Sequence, residues 1–516
     1  MHWVLFLFIL IKQRNNVKGD FIMTQNILFV ASEMTPFVKT GGLGDVVGAL
    51  PKTLAEAHHV NIKVIIPLYS CVDYQKFGLY RVMQGNCVAM GNCQEFFSVH
   101  RSDFVPGVET YFIEFNKYFG RPVWRQHGIY DDCGSHQEYQ DNAYRFSFFC
   151  RAALQTAKDM NFKPDVIHVH DWQTSLIPYY LKHDNDPFFY GTKSLLTLHN
   201  LPYQGRFGSD VVPYAKIEWR DFHAGAFEDY GRINLLKGGI RFADKLNTVS
   251  PNYAKEILTP EYGAGLDFLL RERQGDLVGI LNGIDTKLWN PSKDLIIPKR
   301  YTFENFEEAK KLNKRELRKE FGLSQDDYKP IFSMAVRLTE QKGVKMLTEC
   351  LEPVLQTMQC QVAIMGNGDS WIQDYLSSLP NKYQGQIGVK IGFDQETEHL
   401  MDAGSDFSLV PSIYEPCGLK QMVSQTYGAL PIGRATGGLD DTIFNYNESY
   451  GVGTGFKFKD ISSRALYNTI GWANATYFDR PGHIQSLTKM AMKQDYSWDR
   501  SSKEYKDLYQ KLSGVY

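Results

Sequence analysis

The chain has 516 residues, 43% hydrophobic and 22% charged, which is globular usage and excludes a disordered, collagen-like or coiled-coil protein. At about 150 residues per domain, this length predicts two or three domains. Lysine and arginine number 56 against 58 acidic residues, so a formal charge of −2 offers no global attraction for nucleic acid or an acidic membrane.

From the N-terminus, His2–Ile11 is apolar and followed by Lys12 and Arg14. A spanning helix needs about 20 apolar residues, and a secretory signal carries its charge before the apolar run. Met1–Ile22 is therefore expected to be a spurious upstream extension, with Met23 opening the first strand and the protein read as cytoplasmic. The eight cysteines show no C-x2-C pair and no zinc spacing, which predicts scattered thiols in a reducing compartment.

Short apolar runs then alternate with helical stretches. In the first half they are Ile27–Ala31, Ile62–Ile66, Val166–Val169, Leu195–Leu198 and Val278–Leu281; in the second, Ile331–Val336, Gln361–Met365, Val389–Ile391 and Phe407–Val410. Continuous rather than alternating hydrophobicity predicts parallel strands covered on both faces, with helices such as Val344–Met358 and Glu396–Asp402 between them. Two such series imply an α/β protein of two Rossmann-like, doubly wound parallel-sheet domains facing across a cleft. The N-terminal domain is placed at 23–281, a linker at 282–298, the C-terminal domain at 299–490 and a final helix at 491–516. The charged stretch Glu304–Glu320 reads as a solvated helix face.

Six motifs follow strands. Lys39-Thr-Gly-Gly-Leu-Gly-Asp45 sets glycines 41, 42 and 44 before a helix, where close backbone approach and free N–H groups suit an anion and Lys39 adds a cation. A ligand-free glycine turn is the alternative reading of this pattern alone. Neither G-x-G-x-x-G nor a phosphate-binding G-x4-G-K-[ST] occurs, which disfavours a nicotinamide or NTP-hydrolysing enzyme. His170-Asp171-Trp172-Gln173 and His199-Asn200 sit at strand C-terminal ends, where open α/β sheets bind ligands and polar groups suit sugar hydroxyls. His168 and His170 are expected on one strand face, with no third metal ligand placed. Arg337 and Lys342 follow a strand in the manner of a diphosphate clamp, surface cations being the alternative. Glu415-Pro-Cys-Gly418-Leu-Lys420 joins a strand to a helix, and Thr436–Thr442 repeats the glycine-loop logic, so both halves are expected to aim glycine-rich helix N-termini at one cleft.

Together KTGGLGD at 39–45, LHNLPYQG at 198–205, LNGID at 281–285, RLTEQKG at 337–343, EPCGL at 415–419 and TGGLDDT at 436–442 resemble the bacterial glycogen synthase and plant starch synthase family, from about Ile27 to the SWDRSSKEY stretch at 497–505. Singly the glycine motifs are weak; in this order and spacing they are specific. The resemblance implies a GT-B fold whose final helix crosses back to the first domain. It implies retaining transfer of glucose from ADP-glucose to the non-reducing-end 4-OH of an α-1,4-glucan, with no metal or other cofactor and no membrane partner. By the same resemblance Lys39, Arg337 and Lys342 would hold the diphosphate, aided by the backbone at Gly41, Gly42 and Gly418. Asn282, Gly392, Phe393, Leu419 and Lys420 would complete the donor side. Glu415, His199, Asn200, Asp171, Gln173, Asp45 and Tyr130 would face glucose or acceptor.

Three positions depart from the family pattern. Gln173 stands where some members have His. Phe393 stands where Tyr often stacks on adenine, and Lys420 where Thr or Asn often lies beside the phosphates. A glucan-binding scaffold without activity and an isomerase acting on a UDP-sugar are the competing readings on the same architecture.

Overall fold

The computed structural model describes residues 25–123, 128–133, 135 and 137–514. The expectations for Met1–Ile22 and for a start at Met23 lie outside them.

The first sheet takes its strands from β1 (Asn26–Val30), β2 (Asn61–Pro67), β3 (Tyr80–Met90), β4 (Cys93–Ser102), β5 (Glu109–Glu114), β6 (Val166–His170), β7 (Lys193–Leu198), β8 (Lys245–Thr248) and β9 (Leu277–Gly279). Its order is β9-β8-β7-β6-β1-β2-β5-β4-β3. Pairing is parallel from β9 through β5, and β4 and β3 extend that edge antiparallel. The parallel portion and its switch in direction between β1 and β6 follow the expected winding. The hairpin β3–β4 is an addition that apolar runs did not signal, because β3 is largely exposed and so carries no continuous hydrophobic stretch.

The second sheet comprises β10 (Ile331–Ala335), β11 (Gln361–Gly366), β12 (Ile387–Ile391), β13 (Phe407–Val410), β14 (Leu430–Arg434) and β15 (Phe456–Phe458). Its order is β12-β11-β10-β13-β14-β15, all parallel, with the switch between β10 and β13. Ligands of open α/β sheets bind beyond the strand C-termini at such switch points. Both domains thus present one.

The terminal helix, Trp498–Ser513, returns to the first domain, where Trp498, Tyr505, Leu508 and Tyr509 join its core. Its docking is polar at depth. Thr197 donates to Asn247, so its hydroxyl accepts from His168 Nε2, and His168 Nδ1 in turn accepts from Tyr509 Oη at 2.8 Å. This fixes the tautomer of a fully buried imidazole and satisfies both its nitrogens. The two chain crossings touch: Ile284 N donates to Tyr496 O at 2.8 Å, and a Cβ on Gly283 would lie 2.7 Å from Trp498 N.

The charged helix Phe306–Glu320 corrects the sequence reading. Lys310, Asn313, Lys314 and Arg318 are buried rather than solvated. Lys310 donates to the carbonyls of Ala403 and Tyr427, Lys314 pairs with Asp406 at 2.6 Å, and Arg318 reaches Gln361, Asp327 and Lys329 O. Burial pushes the Lys310 ammonium down to about 8. A charge run is solvated only where no acceptors await it; here the second domain supplies them.

Among the described residues, no helix is long and apolar enough to cross a membrane.

Candidate active site

The loop after β1 is built on Glu33. Its carboxylate, 3% exposed, accepts from the backbone and hydroxyl of Thr40 and from the backbone of Gly41, so the chain bearing Lys39 is fixed from beneath. Helix Gly42–His58 follows, and no side chain caps its N-terminus. Its first N–H groups are therefore available to an anion. Lys39 Nζ lies 2.7 Å from Asp45, one turn into the helix, with both side chains partly exposed. Burial raises the Asp45 carboxyl above the usual aspartate range, and Asp285 and Glu398 add to the rise. Glu398 belongs to the second domain, so this loop faces it across the cleft.

Asp171, at the end of β6, adopts a left-handed backbone with φ of 52°. That turn directs its carboxylate onto the backbone N–H groups of His199, at 2.7 Å, and Asn200. His170 Nδ1 and His199 Nε2 are 3.1 Å apart, and the rings of His168 and His170 lie 4.2 Å apart on one strand face, as the i, i+2 spacing predicts. Burial holds all three imidazoles neutral at neutral pH, His199 down to about 3. Among the described residues no group of three or more His, Cys, Asp or Glu side chains is placed to hold a metal ion. The Tyr130 hydroxyl meets Ser32 Oγ at 2.6 Å and senses both Glu33 and Asp171, which puts Tyr130 over the same floor. Gly205 explains part of LHNLPYQG: its φ is +65°, and a Cβ there would lie 2.5 Å from the Trp172 ring.

In the second domain, the switch between β10 and β13 carries the charged residues. Lys342 Nζ lies 2.6 Å from Glu415 Oε2, and Ser412 donates to the same carboxylate at 2.8 Å. Glu415 is buried, whereas Arg337 is exposed and forms no ion pair with a described residue. Gly343 takes φ of +70° against Pro411, where a Cβ would come within 1.9 Å of the carbonyl, so the two loops touch. Across the cleft Asn200 hydrogen-bonds the Tyr414 hydroxyl, Ser250 Oγ donates to Pro416 O at 2.7 Å, and the Asn282 N–H reaches Cys417. Gly392, φ +119°, and the exposed Phe393 end β12 on the same side of the sheet.

The Lys420 ammonium lies 2.8 Å from Asp402 and 3.4 Å from Glu398, carboxylates on helix Gln395–Gly404 that compensate its burial. One expectation is corrected. The Thr436–Thr442 loop does not present an open helix end: Glu256 accepts from Gly437 N at 2.9 Å and from Thr436 Oγ1, while Asp441 accepts from Asn252 N at 2.8 Å. Each short helix, Pro251–Glu256 and Gly437–Thr442, thus has its N-terminus capped by the carboxylate of the other across the domain interface. The glycines there serve contact instead. A Cβ on Gly437 or Gly438 would strike the carbonyls of Glu415 or Cys417 at 2.0 and 1.9 Å.

Sequence reasoning missed Glu33, Tyr414 and Glu256. An acid three residues past the end of the first strand, in the loop that leads to the glycine motif, is the one signal that marked Glu33.

Four buried side-chain atoms around this cleft have no hydrogen-bond partner among the described residues: His170 Nε2, Gln173 Oε1, Asn200 Oδ1 and Asn282 Oδ1. Buried polar groups are ordinarily satisfied, and a polyhydroxylated ligand would satisfy these.

Comparison with known proteins gives this geometry its context. Residues 26–272 match the family model of the starch synthase catalytic domain. Glycogen synthase 1 of Geobacter sulfurreducens is 42% identical over 488 residues, covering 94% of this chain and 95% of the relative. The chain belongs to the bacterial glycogen synthase and starch synthase family. The glycogen synthase of Treponema denticola is 39% identical over 489 residues, 94% of this chain and 97% of that one. The catalytic domain of starch synthase IV from Arabidopsis thaliana, solved bound to ADP and acarbose, superposes with a TM-score of 0.85 at 30% identity, covering 95% of this chain and all of that one. The two-sheet architecture is the GT-B fold of these synthases, and the family's hexosyltransferases make glycogen from ADP-glucose.

Proposed function

We propose that the cleft catalyses retaining transfer of glucose from ADP-glucose to the non-reducing-end 4-OH of an α-1,4-glucan, releasing ADP, in the cytoplasm and without a metal ion. The observation that carries this reading is the Lys342–Glu415 pair at one switch point, facing unsatisfied polar atoms and an uncapped helix end at the other.

As the glycosidic bond of the donor lengthens, negative charge grows on the diphosphate and positive charge on the glucosyl carbon. Arg337, Lys39 and Lys342 stabilise the first, each worth roughly 2.7–4 kcal/mol in comparable electrostatic sites. Lys342 has three N–H donors, so it can hold Glu415 and a phosphate oxygen together. Glu415, held by Lys342 and Ser412, keeps a fixed negative charge near the sugar. With that carboxylate committed to Lys342 and Ser412, the acceptor hydroxyl attacks from the side of the departing phosphate, which takes its proton. Phe393 supplies an exposed aromatic face for the base. Gln173, Asn200 and Asn282 offer their unpaired carbonyl oxygens to sugar hydroxyls. The eight free cysteines, four of them buried, accord with a reducing compartment.

The test is donor choice in the presence of EDTA. With ADP-glucose and glycogen the chain releases ADP at an undiminished rate, and UDP-glucose is the poorer donor. Elongation only with UDP-glucose would overturn the choice of base, and loss of activity on chelation would overturn the metal-free mechanism.

A further inference from the structure

Glu33 and Asp171 stand at the same place in the fold. They follow β1 and β6, the neighbouring strands between which the first sheet changes direction. Glu33 is buried and Asp171 half-buried, and each spends its carboxylate on backbone N–H groups of a loop that carries site residues: Thr40 and Gly41 for Glu33, His199 and Asn200 for Asp171. Neither forms an ion pair among the described residues, and the Lys39 ammonium is turned to Asp45.

We propose that Glu33 is a positioning residue for glucosyl transfer, its ionised carboxylate fixing the backbone that presents Lys39 and the helix N-terminus, in electrostatic coupling with Asp171, which fixes the His199 loop beside it. This inference rests on the transfer reaction proposed above. A carboxylate accepts hydrogen bonds in all its orientations, whereas its protonated form gives up an acceptor site and presents a donor to the N–H groups it should hold. Ionised Glu33 therefore tightens the loop, and protonated Glu33 releases it.

The groups facing Glu33 set when that happens. They are Asp45 from the helix Gly42–His58, Asp171 from the end of β6, and the phenols of Tyr69 and Tyr130 from the loops on either side. Burial is the main reason the Glu33 and Asp171 carboxyls resist ionisation, and the neighbouring carboxylates, Asp45 for Glu33 and Glu33 for Asp171, add to it. Both carboxyls are pushed up to about 7. The floor of the site thus titrates near neutrality, and the enzyme is predicted to lose donor affinity and turnover as pH falls through that range.

The experiment compares wild type, Glu33→Gln and Glu33→Ala by kcat and KM for ADP-glucose between about pH 5.5 and 8.5, together with Tm across the same range. Wild type shows an acid limb near neutrality. Glu33→Gln keeps one acceptor oxygen but, like the protonated acid, presents donors to the N–H groups, so its KM at pH 8 rises about fivefold, toward the value wild type reaches on its acid side, and the Glu33 part of the acid limb is lost. Glu33→Ala, with no acceptor, raises KM about tenfold or more at every pH, and a Tm at pH 8 no lower in Glu33→Gln than in wild type separates loop positioning from bulk stability. Linkage gives a second readout. A carboxyl raised above its usual value binds its proton more tightly in the folded state, so wild-type stability falls as pH rises from the ordinary glutamate range through 7; Glu33→Gln flattens that slope. An acid limb unmoved in Glu33→Gln, or a KM unchanged in Glu33→Ala, overturns the proposal. If wild type transferred no glucose, the reaction would be misassigned, and the difference in the Tm slopes would still decide whether Glu33 titrates there.

Discussion

Replacing Glu415 by glutamine lowers kcat about 10³-fold while ADP binding stays within a few-fold of wild type, an expected loss of some 4 kcal/mol confined to the transition state. The substitution is nearly isosteric and still accepts from Ser412, so the loop keeps its shape. What it removes is the negative charge, in a site closed by Ser250 on Pro416 and by the glycines packed on the carbonyls of Glu415 and Cys417. In such low-dielectric surroundings a fixed charge acts on the developing glucosyl cation far more strongly than in water. Lys342, released from its partner at 2.6 Å, can only hold the diphosphate more firmly, so ADP should not bind more weakly. Steady-state kinetics beside calorimetric ADP binding checks both halves. A rate within tenfold of wild type would remove Glu415 from the chemistry.

Arg337→Ala isolates the leaving-group side. The residue is exposed and unpaired with described carboxylates, so its loss should change stability by no more than about 0.5 kcal/mol. Turnover should nevertheless fall about 10²–10³-fold, because one preorganised cation on a growing oxyanion is worth roughly 2.7–4 kcal/mol. ADP affinity falls less than kcat, since charge on the diphosphate is greatest as the sugar departs. Arg337→Lys recovers only part of the rate, the flat fork of the guanidinium being lost. Combining Arg337→Ala with Lys342→Ala should cost less than the sum of the two, as groups acting on one oxyanion do. An intact rate in the alanine variant would show that Arg337 is a surface cation, the reading its sequence context also allowed.

The sequence was most legible where burial is symmetrical. Strands such as β6, β10 and β13, covered on both faces, stand out as unbroken apolar runs, and their C-terminal ends located Asp171, Arg337 and Glu415. It was least legible where the partner is distant in the chain. Nothing near Lys314 announces Asp406, and nothing near Gly437 announces Glu256, 181 residues before it. Glycine carries the same ambiguity in both halves: at Gly41 it precedes an open helix end, whereas at Gly437 and Gly438 it makes room for another stretch of backbone. Pattern alone cannot distinguish an anion cradle from a close crossing of chains, because both demand the missing Cβ. Lys420 illustrates the same limit for charge, its ammonium directed by Asp402 and Glu398 on a helix that the local motif does not contain.

The most direct measurement of the central claim is proton NMR of a short α-1,4-glucan incubated with the purified chain and ADP-glucose, with ADP quantified in the same sample. Glucosyl transfer with retention predicts new α-1,4 linkages at the non-reducing end, one for each ADP released. New β linkages, or ADP accompanied only by free glucose, would contradict it.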